Sequence, residues 1–408
     1  FATPYKVTTT KGTAVTISGK IFSQVGNGIY RPMKDYLVKH GDTITVHDFE
    51  YDVKGNIRGV AYFGGQSETY IWGYGGQYPI FTIAGISASA VDGLLTGGAL
   101  PPATCTSPSD YFSQICQKLF NRGNVTMYEY KPLVGISGIS DMNGVRTQYD
   151  YDAQNRLSDI TINGYGKIKS YYYHLNENGT NKIIARTYRN ANAQEYVDSV
   201  TYFDGLGRPI QTISGIANSS STSSPMANYT TYDAMDRACK QWLPIPYSGS
   251  GGYVSFDDFQ QYSIDTYSDS CPYQLTEYES SPLEKVERVI NAGEAWHNAG
   301  KGMTNAILTN SAEIEKYKCR HYTIEGDGSI KLRGLYAHGT LKVTQTTDED
   351  GQKIITFKDL QDQTVLTRKV VNSTTFADTY FVIDDYNDLR FVLPPMASAE
   401  MTSIGQSW

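Results

Sequence analysis

Acidic and histidine side chains are the first residues of this 408-residue chain to suggest chemistry. Asp348-Glu349-Asp350-Gly351 resembles the opening of a calcium-binding loop, but the twelfth position, which needs a bidentate Glu, holds Asp359. We therefore interpret this stretch as a hairpin turn. The six histidines occur neither as His-x-x-x-His nor beside a Glu at the spacing of zinc peptidases, so the sequence predicts no metal site.

Motifs for a nucleophile or a phosphate are also missing from the sequence. Gly135-Ile136-Ser137-Gly138 does not have the Gly-x-Ser-x-Gly spacing, and no Gly-x-x-x-x-Gly-Lys-Ser/Thr loop occurs. The sequence therefore predicts neither a cofactor nor an enzyme. A polysaccharide-processing enzyme remains a third hypothesis, and it would require two carboxyl groups about 5 to 10 Å apart in an open groove.

Aromatic residues interleaved with glycines could form a binding surface, although they supply no catalytic group. Trp72, Tyr74 and Tyr78 lie in the stretch Tyr70–Ile80 and could stack on sugar rings. The alternative is that these rings pack on the inner face of a sheet, where glycines permit close strand packing. Solvent-exposed, coplanar Trp72 and Tyr74 would favour glycan contact, and their burial would argue against it.

A recurring sequence motif, which we call the phrase, predicts the elements that must position such residues. It consists of an aromatic residue, an Asp, a few small or polar residues, an Arg and an apolar run. Its determinants are Tyr51, Asp52 and Arg58; Tyr151, Asp152 and Arg156; Phe203, Asp204 and Arg208; and Tyr232, Asp233 and Arg237. Two incomplete copies, which lack parts of the phrase, follow at 357–366 and 384–390. Repetition without a catalytic constellation favours a repetitive architecture.

The phrase predicts a strand, a turn and a strand. Asn143-Gly144 suits a tight turn, and the residues from Val145 to Tyr151 then alternate at period two. Asp152 can accept backbone N–H bonds within its turn, and Arg156 can lie over an aromatic ring. Since a single hairpin is marginally stable, successive copies must pair with neighbours. The alternative is a set of ordinary hairpins in an all-β protein.

This phrase resembles the YD repeat of the Rhs/YD-repeat family. Longer stretches are similar to the form common in Bacteroidetes-type Rhs proteins: 70–80, Tyr128–Gly135, Tyr202–Pro209, Lys240–Pro244 and Leu389–Pro395. The resemblance implies a long β-sheet strip that winds into a hollow shell around a variable C-terminal polypeptide, often a toxin. Nothing resembles the family's core segment that precedes self-cleavage, or a toxin, so we expect an internal piece of a longer protein.

Composition agrees with a turn-rich β fold. The chain has 33 Tyr and 38 Gly, and tyrosine suits half-buried pleated surfaces. A net charge of −7 without a basic stripe argues against a nucleic-acid partner, and no apolar run is long enough for a membrane span. Five scattered cysteines form no disulfide framework; Cys105 and Cys116 could bridge a short loop, or all five are unpaired thiols.

The predicted fold is all-β, a spiral or shell-like strip of antiparallel hairpins with a few short helical insertions. We predict a first strip at 1–83, a Gly/Pro/Ser-rich excursion at 84–124, a central strip at 125–246, an insertion at 247–325, a last strip at 326–396 and a tail at 397–408. Within the excursion, residues 84–108 should lie at the surface. The excursion should carry a helix at Pro108–Phe120 capped by Ser107 or Ser109. Helical stretches are also predicted at Asp257–Tyr267 and Leu283–Asn291, a flexible polar loop at Asn218–Pro225, and hairpin turns at 326–328 and 350–351. Residues 276–325 are the least strand-like.

Three functions follow from these observations. The first is a non-catalytic scaffold that encloses or presents a C-terminal polypeptide, with the rest of its own polypeptide as partner. The second is an extracellular module that binds carbohydrate or a neighbouring cell, and the third is the enzyme above. The resemblance implies an extracellular or bacterial cell-surface location.

Overall fold

A computed structural model describes residues 5–11, 14–25, 28–177, 180–218 and 224–407. The prediction of an all-β, antiparallel fold with a few short helices is confirmed: within these described ranges, 26 strands belong to one antiparallel sheet, and two more form a separate hairpin. Most of the loop predicted at Asn218–Pro225 lies outside the described residues.

Strands alternate with turns along the whole described chain. Up to residue 203 the elements are β1 Lys6–Lys11, β2 Ala14–Gln24, β3 Tyr30–Lys39, β4 Asp42–Tyr51, β5 Ile57–Tyr62, β6 Ser67–Gly73, β7 Tyr78–Ala84, α1 Ala88–Leu94, α2 Ser109–Leu119, β8 Asn124–Lys131, β9 Gly135–Asp141, β10 Arg146–Tyr151, β11 Leu157–Ile162, β12 Gly166–Glu177, β13 Thr180–Tyr188 and β14 Tyr196–Phe203. The remaining elements are β15 Pro209–Ala217, β16 Met226–Tyr232, β17 Ala238–Trp242, β18 Ile245–Pro246, α3 Phe256–Tyr267, β19 Tyr273–Tyr278, β20 Val286–Ile290, α4 Glu294–Asn298, β21 Met303–Thr309, a 3₁₀ turn Glu315–Tyr317, β22 Arg320–Ile324, β23 Ile330–Leu335, β24 Lys342–Thr347, β25 Lys353–Lys358, β26 Thr364–Val370, β27 Phe376–Ile383, β28 Leu389–Leu393 and α5 Pro395–Glu400.

Two compact units make up the chain. The first consists of Phe1–His174, Ile183–Ser199 and Ala217–Thr222, and the second of Leu175–Lys182, Val200–Ile216 and Ser223–Trp408.

The core of the first unit lies where α1 and α2 cover β6, β7 and β8. Ile80, Phe81 and Ile83 are fully buried there, together with Ile115 and Leu119 of α2. More than half of the residues at 84–108 are exposed, so this segment lies largely at the surface. Four of its apolar side chains nevertheless enter this core, namely Val91, Leu95, Ala99 and Cys105.

The predicted helix at Pro108–Phe120 is confirmed as α2, but its predicted cap is wrong. Pro108 occupies the N-cap position, and no side chain caps the helix, so neither Ser107 nor Ser109 has that role. Proline has no N–H and is tolerated at the start of a helix, where the amides have no partner within the helix.

Part of the first unit has no apolar core. Every residue of β11 is half-buried, and so is every residue of β10 except exposed Gln148. Their register places the apolar side chain of Ile160 opposite the ring of Tyr149. Cross-strand side-chain pairs must therefore stabilise these hairpins.

The second unit has its core where the β22–β23 hairpin packs over the sheet from β24 to β28. Val343, Ile355 and Phe357 are fully buried there, as is Met401 after α5. Arg368 and Asp378 form a bidentate ion pair in this core, with Nε–Oδ1 and Nη2–Oδ2 distances of 2.7 and 2.6 Å.

Residues 276–325 hold more strand than their sequence predicts. The helix predicted at Leu283–Asn291 is wrong, because Val286–Ile290 is β20, paired with β19 on one side and β21 on the other. Sheet hydrogen bonds from both neighbours override the weak local preference. The helix predicted at Asp257–Tyr267 is confirmed as α3, whose N-cap Ser255 accepts the Asp258 N–H. The turns predicted at 326–328 and 350–351 are also confirmed.

All five cysteines are free thiols, so no bridge joins Cys105 to Cys116. Cys105 and Cys319 are buried. Among the described residues, no helix has the length and apolar character needed to cross a bilayer.

Candidate functional site

One turn geometry recurs at the aspartates of the repeat. At Asp233, Oδ1 accepts the backbone N–H groups of Met235 and Arg237 at 2.9 and 3.0 Å. The Asp233 N–H donates to the Arg237 carbonyl, and Asp236 closes the turn with a φ of 65°. The same bonds to residues two and four positions on occur at Asp52, Asp141, Asp152, Asp204, Asp348, Asp359 and Asp384. The Asp348 stretch is thus a repeat turn, which confirms its interpretation as a hairpin turn.

The arginine of a complete copy binds its own aspartate. The Nε atoms of Arg156, Arg208 and Arg237 donate to Oδ2 of Asp152, Asp204 and Asp233 at 2.7, 2.7 and 2.8 Å. One carboxylate therefore receives two backbone N–H groups and a guanidinium. Because these groups favour the charged form, the pKa of each aspartate lies below its ordinary value.

The causes of the lowered pKa values can be ordered. For Asp233 the largest is the backbone N–H of Arg237, which lowers the pKa more than desolvation raises it. For Asp152 desolvation is the largest single influence and raises the pKa, but the N–H groups of Arg156 and Gln154 and the guanidinium of Arg156 together outweigh it.

Each of these arginines also reaches the next hairpin. The guanidinium carbons of Arg156, Arg208 and Arg237 lie 4.3, 4.3 and 4.7 Å from the ring centres of Tyr173, Tyr232 and Tyr278. The hydroxyl of each tyrosine donates to the carbonyl of the residue that follows the arginine, namely Leu157, Pro209 and Ala238, at 2.9, 2.7 and 3.0 Å. We call this set of contacts the interlock. It joins each turn to its neighbour through a cation–π contact and a hydrogen bond.

β-Bulges move the aromatic residues of the repeat out of the regular strand pleat. The register shifts immediately before Tyr51, Tyr151, Tyr232 and Tyr278, so each of these rings leaves the regular pleat at a strand end. Tyr51 and Tyr151 donate in the same way to the carbonyls of Pro32 and Ile136 at 2.7 and 2.8 Å. Phe203 holds the equivalent position before Asp204 but has no hydroxyl to donate.

The first copy departs from the sequence prediction. Asn56, not Arg58, stands four residues after Asp52, and its N–H and Nδ2 bind that carboxylate at 2.8 and 3.1 Å. Arg58 instead forms an ion pair with Asp92 of α1. In the copy at 384–390, Arg390 lies six residues after Asp384 and still donates to it at 2.6 Å. Sequence reasoning did not find Tyr173 and Tyr278 as ring partners. Tyr278 ends β19 just before a turn, which is a signal that the sequence offers, whereas Tyr173 lies inside β12 and carries no such signal.

The three aromatic residues predicted to contact glycans are half-buried and have different surroundings. Tyr74 and Tyr78 pack with Tyr130: the Tyr78 and Tyr130 rings stack with centres 4.7 Å apart, and the Tyr74 ring meets the Tyr78 ring at 89°. The Tyr74 hydroxyl binds both the N–H and the carbonyl of Tyr130. Trp72 lies elsewhere, donates Nε1–H to the Ile57 carbonyl at 2.6 Å and lines a cavity of about 210 Å³.

Comparisons with known proteins give one family and several solved structures. Residues 175–309 match the family described as "Domain of unknown function (DUF6443)". No curated protein matches the chain. The chain is similar to the crystal structure of TcdB2-TccC3, with 11% identity and a TM-score of 0.46 over 95% of this chain and 24% of that chain. It is also similar to the pore of the Photorhabdus luminescens Tc holotoxin, with 9% identity and a TM-score of 0.25 over 96% of this chain and 24% of that chain. The chain thus spans about a quarter of the length of these structures.

Proposed function

We propose that this chain is a non-catalytic structural scaffold of the Rhs/YD-repeat kind, whose sheet encloses or presents a polypeptide, for example a toxin, from the same longer protein. In this proposal the partner is the rest of its own polypeptide, and the location is extracellular or at a bacterial cell surface. The strip needs neither a cofactor nor a metal ion for this role.

The interlock supports this proposal. In the three complete copies, the aspartate, the arginine and the neighbouring tyrosine bind one another and the backbone, so the repeated polar residues serve the sheet. Where the strands have little apolar core, as at β10 and β11, such contacts hold successive hairpins together. A sheet extended by identical turn contacts can grow by adding hairpins, as expected of a scaffold built from repeats.

Protease protection of the natural full-length protein tests the proposal. We would digest it with a broad-specificity protease and follow the polypeptide that lies outside residues 1–408. That polypeptide should survive while the sheet is folded and should be digested after partial unfolding in denaturant.

A matched pair of variants sharpens this test. Arg237→Met removes one interlock and should lower the denaturant concentration at which protection is lost. Arg333→Met removes an exposed arginine of β23 that pairs with Glu325 and should leave protection unchanged. Immediate digestion of the flanking polypeptide while the sheet stays intact would contradict enclosure and leave an open scaffold.

A second candidate is an extracellular carbohydrate- or cell-surface-binding module, favoured by the position of Trp72 beside a cavity. Binding of neutral methyl pyranosides that is lost in Trp72→Leu and kept in Tyr78→Leu would support this function.

A further inference from the structure

The cavity beside Trp72 is built from five parts of the first unit. Trp72 and Ile71 come from β6, Arg58 from β5 and Asp92 from α1, and Asp52 belongs to the first repeat turn. Val91, Leu100 and Pro101 supply apolar walls. At about 210 Å³ the cavity is smaller than the pockets that hold drug-sized ligands, which measure roughly 300–1,000 Å³, so it suits one small group.

The complete copies show what the counterparts of Asp52 and Trp72 do. Tyr173 donates to the carbonyl that follows Arg156, and Trp72 donates to the equivalent Ile57 carbonyl. In the complete copies, the guanidinium lies between the turn aspartate and this aromatic ring. Asp52 and Trp72 are thus the two groups that would hold the arginine of the first copy.

That arginine is replaced by Asn56. The shorter side chain keeps one bond to Asp52, and its Nδ2 also donates to the Gly76 carbonyl at 3.0 Å. Within the described part of the chain, no cation lies over the Trp72 ring, whereas the tyrosines of the complete copies are covered. Arg58, the nearest arginine in sequence, is held by Asp92.

The charge of the cavity favours a cation. Asp52 and Asp92 contribute two negative charges and Arg58 one positive charge, which leaves a net charge of −1. An acidic ligand would be repelled, and a neutral ligand would leave this charge uncompensated. A planar cation would both neutralise it and stack on the indole ring, which is the aromatic ring most favourable to cations.

We propose that this cavity binds the arginine side chain of a partner polypeptide, which takes the place of the missing repeat arginine. The site does not depend on whether the sheet encloses a cargo, so it can exist on an open scaffold as well.

Calorimetric titration of the folded chain with N-acetyl-arginine methylamide tests this site. The matched probe is N-acetyl-citrulline methylamide, which has nearly the same shape without the charge. We expect saturable binding of the arginine probe and at least about tenfold weaker binding of the citrulline probe. Equal binding of both probes, no binding of the arginine probe, or binding of a methyl pyranoside in its place would overturn the proposal.

Asn56→Arg supplies the guanidinium from within the chain. It should abolish binding of the arginine probe and raise the melting temperature, whereas Asn56→Gln, which brings no charge, should keep binding. Asp92→Asn provides a second variant that does not alter the turn; it removes the net negative charge and should weaken binding several-fold. Unchanged affinity in Asn56→Arg or, should that variant fail to fold, in Asp92→Asn would refute the site.

Discussion

Replacing Arg368 by Met should strongly destabilise the second unit. Only 6% of the Arg368 side chain and 12% of the Asp378 side chain is exposed. The guanidinium binds both carboxylate oxygens of Asp378, and its Nη1 donates to the carbonyls of Glu315, Lys316 and Lys318 at 3.1, 3.0 and 2.9 Å. Burial opposes the charged guanidinium, but the hydrogen bonds and charge of Asp378 outweigh it and raise the pKa of Arg368.

The expected cost follows from the partner that is left behind. Met fills much of the aliphatic volume of Arg368, so the main loss is electrostatic. Asp378 would become a buried carboxylate without its cation, and breaking such a pair costs about 3–5 kcal/mol. Replacing both partners, as in Arg368→Met with Asp378→Leu, removes the uncompensated charge and should recover a large part of this loss.

Urea unfolding of the unchanged chain, of Arg368→Met and of the double variant measures their free energies of unfolding. Because the chain has two units, the transition of the second unit needs its own probe. Cys319 provides one, since it is buried in the same core and its alkylation reports the opening of that core. A cost below about 1 kcal/mol for Arg368→Met, or a double variant as unstable as the single one, would refute this reasoning.

Three further predictions concern single groups. The pKa of Asp233 lies below that of an unfolded aspartate, about 3.9, so its stabilising contribution is complete above that pH and is lost as pH falls through the lowered pKa. Asp233→Asn should therefore make the melting temperature fall less steeply between about pH 5 and pH 2. Gly135→Ala would place Cβ 2.5 Å from the Tyr151 hydroxyl and should cost about 1–3 kcal/mol in urea unfolding, whereas Gly252→Ala, with its nearest contact at 3.7 Å, should cost less. Burial raises the pKa of Cys319, so a thiol reagent should modify it only when the second unit opens, and rapid modification of the native chain would contradict its burial.

The sequence alone determined the turns. An aspartate followed three residues later by Gly, Asn or Asp specifies a five-residue turn, because the backbone hydrogen bonds that hold this turn all lie within those five residues. The helix at Ser109–Leu119 was equally local, since its apolar residues repeat along a single face. The all-β, antiparallel character follows from the density of such turns and from the excess of tyrosine.

Only the tertiary structure decided which residues those turns would meet. Arg237 stacks on a tyrosine 41 residues further along the chain, and Arg368 pairs with Asp378 across neighbouring strands. Val286–Ile290 became a strand because strands on both sides pair with it. Asn56 replaces one repeat arginine in the sequence, but only the structure shows that Trp72 lies beside the position that this arginine would occupy. Contacts between separate hairpins depend on strand order, bulges and burial, and none of these is written within one copy of the repeat.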